Sequence, residues 1–186
     1  MEKLLFFDTE TTGLDHKINS IHQLSGAVVI DGKIVERFNF KLKPHENDII
    51  SEQALSISKI SLEQIMSYPD AKETYLKFIE MLSKYVDRFN KSDKFHLVGY
   101  NIHRFDIPFL QEFFNRHNDK YMNSWFWTNP LDCYLLASYK LKGKRHLMSD
   151  FKQMTVAKEL GIEVDESKLH DAEYDVSILM EIYNRL

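Results

Sequence analysis

Alternating apolar and polar residues near the N-terminus predict three β-strands. A short apolar strand is predicted over 3–8, and a second, β-rich run covers 21–30 and ends at Asp31-Gly32. This dipeptide, followed by an alternating segment over 34–42, is a strong β-hairpin signal. We therefore expect the first three strands to pair as one antiparallel unit.

Helical spacing of apolar residues dominates the rest of the chain. A short apolar run over 95–100 is expected to be a buried strand, and Pro108 can open the helix that follows Asp106. Besides this helix, the periodicity predicts helices over 61–67, 70–89, 130–141, 149–160 and 171–186. Strands followed by helices and further strands predict an α/β fold, with one mixed sheet flanked by helices.

Composition narrows the class of protein. With 186 residues, of which 44% are hydrophobic, the chain is expected to form one domain, 1–186, around one buried core. The single cysteine, Cys133, rules out an internal disulfide and disfavours a cysteine-built zinc site, which fits a reducing compartment. We find no signal peptide and no apolar run of membrane-spanning length, so we expect a cytoplasmic protein without a membrane partner.

The net charge of −4 does not by itself indicate a nucleic-acid partner. A strongly basic chain would have done so. However, a site that gathers several carboxylates around metal ions lowers the net charge of its protein, so local charge patterns carry more information here than the total.

Four acidic residues occupy positions where an apolar residue would be expected. Asp8 and Glu10 end the first strand two positions apart and therefore share one face. Asp106 follows a buried strand, and Asp175 lies at the edge of the buried face of the last helix. Taken singly, they could be a solvated strand end, a helix cap and a boundary charge. Neighbouring like charges are costly unless water or a cation compensates them, and carboxylate oxygens suit Mg²⁺ or Mn²⁺.

Three sequence motifs connect these acids to a known family. The segments DTETTG at 8–13, GYNIHRFDIPFL at 99–110 and HDAEYD at 170–175 resemble, in order, the three motifs of the DEDDh (DnaQ-like) 3′-to-5′ exonucleases. The segments at 54–61 and 131–151 are also similar to that family, so the resemblance covers nearly the whole chain. There is some similarity to the proofreading epsilon subunit and, through N-x-x-R-F-D-x-P, to the three-prime repair exonucleases. The resemblance implies an RNase H-like fold.

The same resemblance implies a set of catalytic residues. Asp8, Glu10, Asp106 and Asp175 would bind two divalent cations, Mg²⁺ or Mn²⁺, with Asp8 bridging them and His170 acting as general base. Two such ions about 3.5–4 Å apart can activate a water and stabilise the leaving oxygen of an in-line phosphoryl displacement. His170 precedes Asp175 by five residues, about 140° around a helix, so it must lie in the loop before the helix.

The first two motifs also carry candidate substrate-binding residues. The resemblance implies that Thr11 contacts the terminal 3′-hydroxyl and that Leu14 wedges against the last base. Asn101 of the second motif is a further substrate-binding candidate. From the residues alone, Leu14 could instead pack on the core.

Two other segments have alternative interpretations. The aromatic residues at 125–127 are either a base-stacking platform or part of a half-buried strand. The basic run KLKGKRH at 140–146, with Lys142, Lys144 and Arg145 as substrate-binding candidates, either grips a nucleic-acid backbone or is a solvated loop.

We therefore predict a metal-dependent exonuclease that releases nucleoside 5′-monophosphates from the 3′ ends of single-stranded or frayed DNA. DNA is favoured over RNA as the partner, and a polymerase or another replication or repair protein is a further candidate partner. One alternative is an RNA 3′ exonuclease. A second, of a different class, is a catalytically silent nucleic-acid-binding or polymerase-binding module. The silent module is disfavoured because all five catalytic positions carry the expected residue.

Overall fold

A mixed five-stranded sheet forms the centre of the computed structural model, which describes residues 1–168 and 171–186. The strand order within this described part is β3-β2-β1-β4-β5. The strands are β1 (Lys3–Thr11), β2 (Ile21–Ile30), β3 (Lys33–Lys41), β4 (His96–Gly99) and β5 (Leu131–Asp132). β1, β2 and β3 pair antiparallel, whereas β4 pairs parallel with both β1 and β5. The predicted α/β class with three antiparallel strands is confirmed.

The hairpin between β2 and β3 turns at Asp31 and Gly32, as predicted. Both residues have positive φ angles, 47° and 77°. Two consecutive positive φ angles match the twist of the flanking strands, and Asp-Gly is one of the dipeptides that tolerate them.

Seven α-helices are present in the described residues, together with three short 3₁₀ turns. The helices are α1 (Glu52–Ile57), α2 (Leu62–Met66), α3 (Ala71–Ser83), α4 (Asp106–Arg116), α5 (Cys133–Lys140), α6 (Gln153–Glu159) and α7 (Ala172–Arg185). The 3₁₀ turns are Met122–Ser124, Arg145–Leu147 and Glu166–Lys168. The periodicity missed α1, and it placed in one helix the segment that the structure divides between β5 and α5.

The helix predicted over 70–89 is too long at its C-terminal end. α3 ends at Ser83, and Phe89 is almost fully exposed. Val86 is nevertheless buried, because the chain turns back after the helix and packs this side chain on the same core. Apolar spacing alone cannot distinguish a continued helix from such a turn.

The sheet separates two apolar layers, and alternate residues of β1 belong to each. Leu5 and Phe7 pack in the layer that includes α3 and α4, whereas Leu4 and Phe6 pack in the layer that includes α5, α6 and α7. The side chains of a strand point alternately to its two faces. The positions that continue the Leu4–Phe6 face are Asp8 and Glu10, so both acids lie on the α7 side of the sheet.

The aromatic segment at 125–127 belongs largely to the core. Trp125 and Phe126 are buried, and Phe126 forms an isolated parallel bridge with Phe95. The base-stacking interpretation is therefore wrong for these two residues, since a buried ring offers no face to a nucleobase. None of the helices in the described ranges is both long enough and apolar enough to cross a bilayer.

Candidate active site

Three carboxylates converge where the end of β1 meets the start of α7. Asp8 and Glu10 come from β1, and Asp175 lies in the first turn of α7. One carboxylate oxygen from each lies within 4.8 Å of the others. Asp171 begins α7 as its N-cap, accepting hydrogen bonds from the backbone N–H groups of Glu173 (2.9 Å) and Tyr174 (3.2 Å). This cap sets the start of the helix one turn before Asp175.

Asp106 stands behind this group at the start of α4. Its side chain is buried, and its Oδ1 accepts hydrogen bonds from the backbone N–H (3.1 Å) and the hydroxyl (2.6 Å) of Thr9. Thr9 lies between Asp8 and Glu10 on β1. The structure thus brings all four predicted acids to one place, with Asp106 tied to the strand that carries two of the others.

Burial and the charges of neighbouring acids raise the pKa values of Asp8, Glu10 and Asp106. Burial, followed by the charges of Asp106, Glu10 and Asp175, holds the pKa of Asp8 well above its usual range. Burial raises the pKa of Glu10 to about 7, although a hydrogen bond donated by the Ser58 hydroxyl (2.6 Å) opposes the shift.

Burial also raises the pKa of Asp106 to about 7, against the two hydrogen bonds from Thr9. A bound cation would offset the repulsion between these carboxylates and would be coordinated by their oxygens. The residues present therefore fit divalent metal ions.

An open cleft and an apolar pocket meet at this acidic group. The cleft has a volume of about 630 Å³ and is lined by all four acids. Its other lining residues include Tyr100, Asn101, Tyr134, Arg145 and Phe151. The pocket has a volume of about 510 Å³. The loop that follows β1 lines one side of it, and helix α1 lines the other. Glu10 and Phe105 line both spaces. A ligand can therefore contact the acids and an apolar surface at once.

Comparison with known proteins identifies the family. A family model described as Exonuclease (RNase_T) matches residues 5–183. The chain belongs to this exonuclease family. The predicted assignment to the DnaQ-like 3′-to-5′ exonucleases, with an RNase H-like fold, is thereby confirmed, as is the predicted enzyme class, a phosphodiester hydrolase.

Individual relatives of this exonuclease domain are much longer proteins. It is 28% identical over 179 residues to the DNA polymerase III PolC-type of Mycoplasma genitalium, covering 96% of this chain and 11% of that protein. E. coli exonuclease I in complex with a dT13 oligonucleotide matches its fold with a TM-score of 0.78 at 19% identity, covering 98% of this chain and 40% of that one. A zinc-ion-bound form of the E. coli exonuclease I–single-stranded DNA complex gives a TM-score of 0.78 at 20% identity, covering 98% and 40%. The chain thus spans about a tenth of the curated relative and two-fifths of the solved ones.

The exonuclease domain presents Leu14 at the rim of the apolar pocket. Leu14 is 86% exposed, so the alternative that it packs on the core is wrong. Thr11 is buried at the pocket wall, and its hydroxyl donates a hydrogen bond to the carbonyl of Gly13 (2.7 Å). This bond closes the turn that carries Leu14.

Asn101 lines the acidic cleft in a left-handed conformation, with φ 59°. Asp132, which lies outside the three sequence motifs, holds this turn. Its buried carboxylate accepts hydrogen bonds from the backbone N–H groups of Asn101 (2.8 Å), His103 (3.3 Å) and Tyr134 (3.0 Å). The available signal was an acid directly before a helix, the usual pattern of an N-cap.

The basic run divides into residues inside and outside the cleft. Arg145 lines the cleft, and its guanidinium lies 5.5 Å from the centre of the Phe151 ring. Lys144 pairs instead with Glu159 (2.7 Å), and Lys142 lies over the ring of Tyr139 at 4.1 Å. The structure does not bring Lys142 and Lys144 to the cleft, and their predicted substrate-binding role stays a prediction.

The predicted general base, His170, lies outside the described residues, so its role also stays a prediction. Tyr174, the neighbour of Asp175 in sequence, accepts a hydrogen bond through its hydroxyl from the backbone N–H of Asp165 (2.7 Å). Its hydroxyl is therefore engaged with the segment before α7.

Proposed function

We propose that this chain is a metal-dependent exonuclease domain that removes nucleoside 5′-monophosphates one at a time from the 3′ ends of single-stranded or frayed DNA. The observation that carries the proposal is the convergence of Asp8, Glu10 and Asp175, with Asp106 behind them, at the junction of an open cleft and an apolar pocket. E. coli exonuclease I, whose fold this chain shares, forms a complex with single-stranded DNA, which supports the choice of substrate.

Asp8, Glu10, Asp106 and Asp175 would hold two divalent cations, Mg²⁺ or Mn²⁺. When bound, such ions supply Lewis-acid stabilisation of phosphate oxygens and lower the pKa of a water. The raised pKa values of Asp8, Glu10 and Asp106 support this assignment, as does the zinc-bound form of exonuclease I.

The chain's own residues position the substrate. The pocket receives the terminal nucleoside, with Leu14 against its base and Thr11 near its 3′-hydroxyl, while Asn101 and Arg145 contact the strand in the cleft. Arg145 would stabilise a phosphate through charge-assisted hydrogen bonds. His170, as general base, would accept the proton of the attacking water. A paired 3′ end would first have to fray, because the pocket must surround a single base.

The relatives suggest where such a domain works. The PolC-type relative is a DNA polymerase, which supports association of this chain with a polymerase and a contribution to proofreading. A cytoplasmic location, where bacterial polymerases act, is part of the same proposal.

A timed digest of matched DNA and RNA oligonucleotides tests the proposed function. With Mg²⁺ or Mn²⁺, a 5′-labelled DNA single strand should shorten from its 3′ end and release nucleoside 5′-monophosphates, whereas chelator or a 3′-terminal block should stop the reaction. Asp8→Asn, which keeps the size of the side chain but removes its charge, is the matched control.

Three outcomes would contradict the proposal. Shortening of RNA alone would identify an RNA 3′ exonuclease, and binding without cleavage would identify a silent module. Shortening from the 5′ end would exclude the proposed direction.

A further inference from the structure

An ion pair at the C-terminal end of α4 lies outside the acidic cleft. Arg116, the last residue of α4, places Nη1 2.7 and 2.6 Å from the two carboxylate oxygens of Asp48. Only 17% of the Arg116 side chain and 7% of the Asp48 side chain are exposed. Because desolvation offsets most of the attraction in such a pair, its contribution to stability alone does not explain it.

The remaining contacts of Arg116 all reach the loop that follows β1 or its own helix. Nη2 donates to the backbone carbonyls of Lys17 (3.2 Å) and Asn19 (3.5 Å), and Nη1 also donates to the hydroxyl of Ser20 (3.2 Å). Nε donates to Glu112 (3.3 Å) one turn earlier on α4. One guanidinium thus holds a loop that has little regular structure of its own.

Asp48 fixes a second loop, between β3 and α1, to the first. Its carboxylate accepts hydrogen bonds from the Ser20 hydroxyl and from the backbone N–H of His45 (3.1 Å). Two further hydrogen bonds join the two loops. The backbone N–H of Ile49 donates to the carbonyl of Ile18 (2.8 Å), and the side-chain amide of Asn19 donates to the carbonyl of Ile49 (2.7 Å).

These joined loops form a wall of the apolar pocket. Leu14, Ile18, Asn19 and Ile49 line the pocket, whereas neither Arg116 nor Asp48 is among its lining residues. Any effect of the ion pair on a ligand must therefore pass through the loops. Asn19 also lies so close to Gly13 that an added Cβ there would meet its Oδ1 at 2.4 Å, so the wall is closely packed behind the turn that carries Leu14.

We infer that Arg116 and Asp48 are positioning residues that fix this wall at the distance from the acids needed to bind the terminal base. This inference rests on the proposed function. α4 begins with Asp106 at the acidic group and ends with Arg116 at the wall, so a single rigid element connects the two halves of the site. Loss of the ion pair should weaken recognition of the base and leave recognition of the phosphate intact.

Binding of two product-like probes separates these contributions. The dissociation constants of dTMP and of deoxyribose 5-phosphate, which lacks the base, are measured by calorimetry in the presence of Mn²⁺. In Arg116→Gln/Asp48→Asn, which leaves no unpaired buried charge, dTMP should bind about ten-fold more weakly, equivalent to about 1.4 kcal/mol. The affinity for deoxyribose 5-phosphate should stay the same. Arg116→Lys keeps a charge for Asp48 but loses the forked contacts, so it should fall between the wild type and the double variant.

Lys77→Gln is the matched control, because it removes an exposed lysine that pairs with Glu73 on α3. It should change neither dissociation constant. An equal loss of affinity for both probes in the Arg116 variants would mean that the ion pair is merely structural, and unchanged affinity for dTMP would also overturn the inference. If the double variant does not fold, Arg116→Lys alone decides between these outcomes. A wild type that binds neither probe would instead overturn the proposed function, and the inference with it.

Discussion

His22 should make the stability of this protein depend on pH in a way that a single substitution can isolate. Its side chain is buried, and neither ring nitrogen has a hydrogen-bond partner among the described residues. It is the extra residue of a β-bulge, since Glu10 pairs with Gln23 and Thr11 pairs with Ile21. Burial, together with the nearby charge of Lys41, lowers the pKa of His22 from 6.5 to about 4.

The sign and the size of the effect follow from the difference between the folded and unfolded pKa values. Above pH 6.5, His22 is neutral in both states and has no effect. As the pH falls below 6.5, His22 binds a proton in the unfolded chain, whereas in the folded protein it stays neutral down to about pH 4. The free energy of unfolding therefore decreases between pH 6.5 and pH 4. Proton linkage with these two values gives a loss of about 2 kcal/mol at pH 5.

Urea unfolding of the wild type and His22→Leu, at pH 8 and pH 5 in chelator, measures this loss. Leu removes two unpartnered buried nitrogens, so the variant should be at least as stable as the wild type at pH 8. Its advantage over the wild type should grow by about 2 kcal/mol between pH 8 and pH 5. Comparing the two proteins at each pH cancels the titration of the acidic site. His146→Leu controls for loss of an exposed histidine. A difference between wild type and His22→Leu that does not change with pH would refute the reasoning.

The remaining predictions concern the site. Mn²⁺ should raise the melting temperature of the wild type by binding to the folded state, and Asp8→Ala should fold but lose that rise. In single-turnover assays, His170→Ala should lose a factor of roughly 10² to 10⁴ but keep the metal response, whereas Tyr174→Phe should keep most activity. Arg145→Ala should weaken single-stranded DNA binding and reduce its salt slope by about 0.7, and Lys77→Ala, which removes an exposed lysine on α3, should not. The opposite ranking within either pair would contradict the corresponding assignment.

The first three strands could be predicted because their signals are local. Alternation and the Asp31-Gly32 dipeptide lie within the segment that they describe. β1 nevertheless extends to Thr11 and not to Asp8, because pairing with β2 continues beyond the apolar run. β5 could not be predicted for a similar reason, since its two residues form a strand only through pairing with β4.

The acids of the candidate site were identified from motifs, but their supporting contacts were not. Ser58 reaches Glu10 from 48 positions away, and Thr9 reaches Asp106 from 97 positions away. Serine and threonine are common surface residues, so nothing in their own neighbourhood distinguishes them. The capping role of Asp132 was obscured because the apolar spacing predicts a helix over 130–141, whereas α5 begins at Cys133, directly after Asp132.

Because both ends of α4 carry residues with fixed contacts, the length of this helix cannot change freely in evolution or by design. Asp106 and Arg116 are ten residues apart, a rise of about 15 Å along the axis. Inserting one residue between them would turn one end relative to the other by about 100° and move it by about 1.5 Å. Either the Asp106 carboxylate would then lose its hydrogen bonds from Thr9, or the Arg116 guanidinium would lose its ion pair with Asp48. Substitutions on the outer face of α4 should therefore be tolerated, whereas insertions and deletions inside it should not.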